Sequence, residues 1–149
     1  MAVSYETVNV SPPKIKRRLI SAWVKAIAVS FERRVGDITY IFCDDEEILN
    51  INRQYLEHDY YTDIITFDYS EDTIISGDLF ISLDTVRTNA ESYQVAYEEE
   101  LLRVIIHGVL HLCGLKDKSP AEEKAMREQE NRALNVYRQM ILAKETNEI

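Results

Sequence analysis

His107 and His111 lie four residues apart in VIIHGVLHLCGLKD, residues 104–117. At that spacing on a helix both imidazoles leave one face and reach a common point. Val104, Ile105, Ile106, Val109, Leu110 and Leu112 surround them, so the helix is apolar almost all round and is predicted to be buried. Two imidazoles together in such a place repel if charged and lack partners if isolated, and a shared divalent cation answers both problems. Gly114 is placed to end the helix and turn the chain back. Asp117 follows three residues on, within reach of the same ion. Each feature alone has an ordinary structural use: a chance pair, a helix cap, a turn residue. Their order points to a metal site. Two histidines and a carboxylate, with a fourth position left to water, is a catalytic rather than a structural zinc arrangement. Such an ion acidifies bound water and polarises an electrophile. The expected ligands of one Zn2+ per chain are therefore His107, His111 and Asp117.

Neighbouring residues narrow the chemistry. Metalloproteases of the H-E-x-x-H type use the Glu after the first His as general base. That position is Gly108 here, which disfavours hydrolysis of peptides and other amides. Cys113 ranks below Asp117 as a third ligand, because it falls on another helical face two residues after His111. His58 belongs to a polar, aromatic stretch, His58 to Tyr61, and reads as a surface residue.

The elements that position these residues follow from periodicity and caps. Residues 3–10 read as a strand, ended by Ser11-Pro12-Pro13. Ser11 can cap a helix of roughly 18 residues whose apolar stripe is Ile15, Leu19, Trp23, Ile27 and Phe31. Asp37–Cys43 is a strand, and Asp44 with Glu47 opens a helix with Ile48, Leu49, Ile51, Tyr55 and Leu56 toward the core. Thr62–Tyr69 and Gly77–Leu83 are further strands, separated by a loop at 70–76. Asp84 is placed to cap a helix to about Val95. The metal-binding helix begins near Glu98, and Ser119-Pro120-Ala121-Glu122 starts the last one. The pattern predicts one α+β domain over residues 1–149, with a roughly four-stranded mixed sheet and about five helices. Strand order is not readable from it.

With 149 residues, 46% hydrophobic and 29% charged, the chain has the composition of a soluble globule that folds without staples. Two cysteines make no disulfide framework, the N-terminus has no signal-peptide pattern and no stretch is long enough to span a membrane, so a cytoplasmic protein is expected. A net charge of −9 argues against a nucleic-acid partner. Residues 14–34 run against that total: Lys14, Lys16, Arg17, Arg18, Lys25, Arg33 and Arg34 face one acid, Glu32. This run is either the solvated face of a helix or a guide for an RNA backbone.

At these residues the sequence resembles the YbeY family of rRNA maturation factors, single-strand-specific metallo-endoribonucleases. The family motif H-G-x-L-H-L-x-G-Y-D-H is matched at every fixed position from His107 to Gly114. Thr62-Asp63-Ile64-Ile65-Thr66-Phe67 is similar to its T-D-V-L-S-F strand, and Gly77-Asp78-Leu79-Phe80-Ile81-Ser82 to its G-D-I-x-I-S segment; Leu49-Asn50 also match. The resemblance runs from about residue 37 to 135. It implies zinc-dependent cleavage of single-stranded RNA in maturation of the small-subunit rRNA 3′ end and in ribosome quality control. rRNA and the ribosome or its proteins would be the partners.

Two positions depart from the family. Asp117 replaces its third metal-binding His, which lowers the charge of the centre by one and makes bound water less acidic. Leu56 stands where the family often has an arginine, and Arg53 is the nearest possible substitute. No general base is assignable; Asp63 and Asp78 are candidates as strand-end carboxylates, and both are as readily turn or cap residues. The competing reading is a non-catalytic, metal-binding ribosome-assembly factor, favoured by the acidic charge and the missing arginine.

Overall fold

Alternating apolar and polar residues build the strands, and 3.6-residue stripes build the helices that cover them. The computed structural model describes residues 2–55 and 62–147. Among them are β1 (Val3–Thr7), α1 (Arg17–Ser30), β2 (Arg34–Cys43), α2 (Asp45–Tyr55), β3 (Ile64–Asp68), β4 (Ile74–Ser82), α3 (Leu83–Tyr93), α4 (Tyr97–Leu112) and α5 (Pro120–Asn147). The strands form one sheet in the order β1-β2-β4-β3. β1 pairs parallel to β2 and β2 parallel to β4, while β3 runs antiparallel to β4 at the edge. The fold is α+β with a mixed sheet and five helices, as the sequence predicts. No described helix is long and apolar enough to cross a membrane.

The pleat sends alternate residues to opposite faces and so divides the core in two. Ile38, Tyr40 and Phe42 of β2 and Ile75, Leu79 and Ile81 of β4 join α1, α4 and α5 in the larger cluster. Cys43, Ile48, Ile51 and Ile65 form the smaller one, against which Phe67 and Phe80 pack. α4 lies at the centre of the larger cluster, with ten of its 16 residues buried. The polar ends of the big aromatics are satisfied there: Tyr40 Oη donates to the Ile105 carbonyl at 3.1 Å, and Trp23 Nε1 donates to that of Ala133 at 2.8 Å.

Gly108 explains how close α4 comes to the sheet. A Cβ at this position would stand 2.9 Å from Ile64 Cδ1 and 3.2 Å from Leu79 Cδ1. Position 108 therefore faces β3 and β4, and a side chain there would have to displace Ile64 and Leu79.

Several boundaries differ from expectation. α1 starts at Arg17, without a side-chain cap, and Ser11 caps nothing. The prolines hold the preceding residues extended and delay the helix. β2 begins at Arg34, whose N–H donates to the Thr73 carbonyl at 2.8 Å, and its register shifts between Val35 and Ile38. A bulge of this kind hides a strand from a pattern of period two. β4 begins at Ile74 because Glu71 and Ile74 exchange backbone hydrogen bonds across a tight turn, with Asp72 at φ 54. The cap of α3 is Ser82, which accepts from the Thr85 N–H, whereas Asp84 accepts from the Asp45 N–H and ties α3 to the start of α2. Asp44 caps α2 as expected, accepting from the Glu47 N–H at 2.9 Å. Tyr55 is 62% exposed rather than core-facing. Leu56 lies outside the described residues.

Candidate metal centre

The end of α4 and the turn after it are one device. Gly114 adopts φ 101, a left-handed conformation that a side chain would strain. Its N–H donates to the His111 carbonyl at 2.9 Å and that of Leu115 to the Leu110 carbonyl at 3.1 Å. This double return is a Schellman cap. It leaves the Leu115 carbonyl 2.9 Å from His111 Nδ1, which therefore carries the proton and donates. α5 then starts with a reciprocal capping box: the Glu122 N–H donates to Ser119 Oγ at 3.1 Å, and the Ser119 N–H to Glu122 Oε1 at 3.0 Å. Between the two caps lies Asp117.

The other imidazole is held from a distance. His107 Nδ1 is 2.7 Å from Glu130 Oε2 of α5, and Arg103 donates to Glu130 Oε1 at 3.0 Å. Glu130 is only 6% exposed, yet its charge is answered on both sides. Burial raises the Glu130 pKa, but His107 and Arg103 outweigh it and hold the carboxyl below its usual range. Burial likewise opposes the charged form of His107, and Glu130, Asp63 and Asp117 overcome it, raising its pKa.

With both Nδ1 atoms committed, the two Nε2 atoms face inward, and each presents a lone pair when its ring is neutral. They are 3.0 Å apart. Asp117 Oδ2 stands 3.3 Å from Nε2 of His107 and 3.2 Å from that of His111. Three acceptors facing one another at such distances repel unless a proton on one Nε2 or a cation joins them. His107, His111 and Asp117 thus form a group that could hold a metal ion. The structure brings together the three residues named from the sequence.

Other expectations divide. Asp63, just ahead of β3, is brought beside the group: it shares a cavity of ≈ 490 Å³ with Asn52, Thr62, Thr66 and the three possible ligands. Burial raises its pKa, against the pull of His107. Asp78 is on the opposite face of the sheet, where its Oδ2 accepts from Tyr69 Oη at 3.4 Å, so it takes no part in the site. Cys113 is 6% exposed and packs in the main core, not with the group. Its thiol is pushed up to about 11 by burial, and that of Cys43 to about 12, so both are inert at neutral pH. His58 lies outside the described residues. Glu130 and Arg103 were not anticipated. The available signal was a glutamate in the apolar stripe of α5, where Met126, Ala133, Leu134 and Tyr137 are buried. Asn52, 2% exposed in an otherwise apolar face of α2, carried the same kind of signal.

The sequence profile described as Endoribonuclease YbeY matches residues 3–138. The chain belongs to the YbeY family. Curated relatives named Endoribonuclease YbeY include one from Bacteroides thetaiotaomicron, 61% identical over 90% of this chain and 98% of its own. One from Parabacteroides distasonis is 60% identical over 91% and 96%, and one from Porphyromonas gingivalis 52% over 93% and 92%. In fold the chain is similar to the solution structure of a Thermotoga maritima protein, with a TM-score of 0.61, 22% identity and 92% coverage of both chains. The three YbeY-like stretches of the sequence lie next to one another in space: His107–Gly114 ends α4, Thr62–Phe67 leads into and forms most of β3, and Gly77–Ser82 forms most of β4.

Proposed function

We propose that this protein is a zinc-dependent, single-strand-specific endoribonuclease of the cytoplasm, acting in maturation of the small-subunit rRNA 3′ end and in ribosome quality control. The observation that carries the reading is the triangle of ligand-capable atoms from His107, His111 and Asp117, 3.0–3.3 Å on a side, at the wall of an open cavity. Zinc fits that donor set: tetrahedral ligands at its usual bond lengths of roughly 2.0–2.1 Å stand about 3.3 Å apart. When bound, the ion supplies Lewis acidity toward a phosphodiester and a more acidic water. The remaining work falls to the chain. The Leu115 carbonyl and Glu130 keep the Nδ1 protons of His111 and His107 in place and aim both Nε2 atoms. Asn52, Thr62 and Thr66 offer hydrogen bonds along the cavity wall. Its ≈ 490 Å³ is large enough to take a nucleotide splayed out of a single strand.

Cleavage of a labelled single-stranded RNA, but not of its duplex, is the expected behaviour, and it should be lost with the His107→Ala/His111→Ala double variant. A second reading, a non-catalytic assembly factor that binds metal and the ribosome, is favoured by the net charge of −9. RNA cleavage that survives in the double variant would come from a contaminating nuclease and support that second reading.

A further inference from the structure

An acidic protein that acts on a polyanion needs cations where the strand passes. The cavity along β3 has none: among the described residues its charged lining is Asp63, Asp68, Asp117 and the two histidines. No described residue of the basic run 14–34 lines it. On the other side of His107 and Asp117 a second cavity of ≈ 480 Å³ opens against α5, and there Lys124 and Arg127 form part of the wall. They are three residues apart, hence on one face of the helix. Both are exposed, and among the described residues neither makes an ion pair or hydrogen bond. The described acids nearby form no ion pair with them, although Arg127 also borders a smaller cavity with Asp63, Glu100 and Glu130. Glu130 already answers His107 and Arg103. Glu123 also lines the cavity but pairs with neither cation. The field of Arg127 extends to Glu100, without contact.

We propose that Lys124 and Arg127 form a phosphate subsite for the RNA strand, seating a backbone phosphate next to the one at the metal group. The strand then crosses from the β3 cavity, which takes a nucleotide, over His107 and Asp117 to the α5 cavity, which takes the charge. Arg127 offers the planar fork that grips a phosphate in two places, and Lys124 a mobile point charge. This inference rests on the endoribonuclease reading and adds the polarity of the track.

The test is fluorescence anisotropy of a labelled single-stranded oligoribonucleotide, titrated with the full chain across a series of salt concentrations. Lys124→Ala/Arg127→Ala is compared with Arg18→Ala/Lys25→Ala, which removes the same charge from exposed positions of α1. The first variant should bind more weakly and flatten the plot of log affinity against log salt by about 0.7, the change expected for one lost phosphate on a single strand. Its metal content should equal that of the wild type. The second should change the slope by less than half as much. Equal slopes for wild type and Lys124→Ala/Arg127→Ala, or an equal fall in both variants, would overturn the subsite while leaving the nuclease reading intact. Wild-type protein that binds no RNA would overturn both.

Discussion

His107 and His111 belong to the same helix and aim at the same point, but they are held in different ways. His111 is fixed locally: its ring donates to a carbonyl four residues on, placed there by the Gly114 cap. His107 is fixed by Glu130, 23 residues away on another helix, with Arg103 behind it. The local anchor needs only that α4 ends correctly. The remote anchor needs α4 and α5 to dock in register. One histidine thus reports the formation of a turn, and the other the assembly of the core.

Substitutions can break this comparison at its separate points. Removing a ligand comes first: Asp117→Ala should cut zinc affinity, read by chelator competition, by more than the roughly 10–100-fold typical of losing an outer partner. Asp117→His should retain the metal. Equal retention by wild type and Asp117→Ala would take Asp117 out of the site. Next, Glu130→Gln keeps an acceptor for His107 but removes the charge, and should weaken zinc binding by about 10–100-fold. If Glu130→Gln left affinity unchanged, the remote anchor would be packing alone. Gly114→Ala strains the local anchor, since nothing crowds a Cβ there but φ is 101. A loss of about 1–2 kcal/mol in denaturant unfolding, with a smaller loss of metal affinity than Glu130→Gln, is expected. The smallest effect is that of Ser119→Ala, which removes the α5 cap: about 1 kcal/mol of stability, with zinc affinity unchanged. A fall in affinity there would show that the Asp117 loop depends on the start of α5.

The same division explains what was legible in the sequence. His107, His111, Gly114, Asp117 and Ser119 belong to one continuous stretch, and helix geometry and cap chemistry place them without knowledge of the rest of the fold. The apolar stripes of α1 and α4 were as readable, because burial imposes a period. Strand order was not, since the pairing of β2 with β4 depends on packing across the whole sheet. Asp63 and Asp78 looked alike as strand-end carboxylates; the pleat of β4 sends Asp78 to the opposite face, whereas Asp63 lies in a bend ahead of β3 that brings it beside the metal group. Glu130 left a trace, an acid in an apolar stripe, but its partner across the helix interface could not be named. The starts of β2 and β4 were hidden by a bulge and a tight turn, which break the alternation that marks a strand.

The central claim is that His107, His111 and Asp117 hold one metal ion, and elemental analysis of the purified protein beside His107→Ala/His111→Ala tests it most directly. The account predicts about one zinc per wild-type chain and none in a variant that remains folded. No metal in either protein, even after zinc is offered, would contradict it and leave the two histidines as helix residues paired with Glu130 and the Leu115 carbonyl.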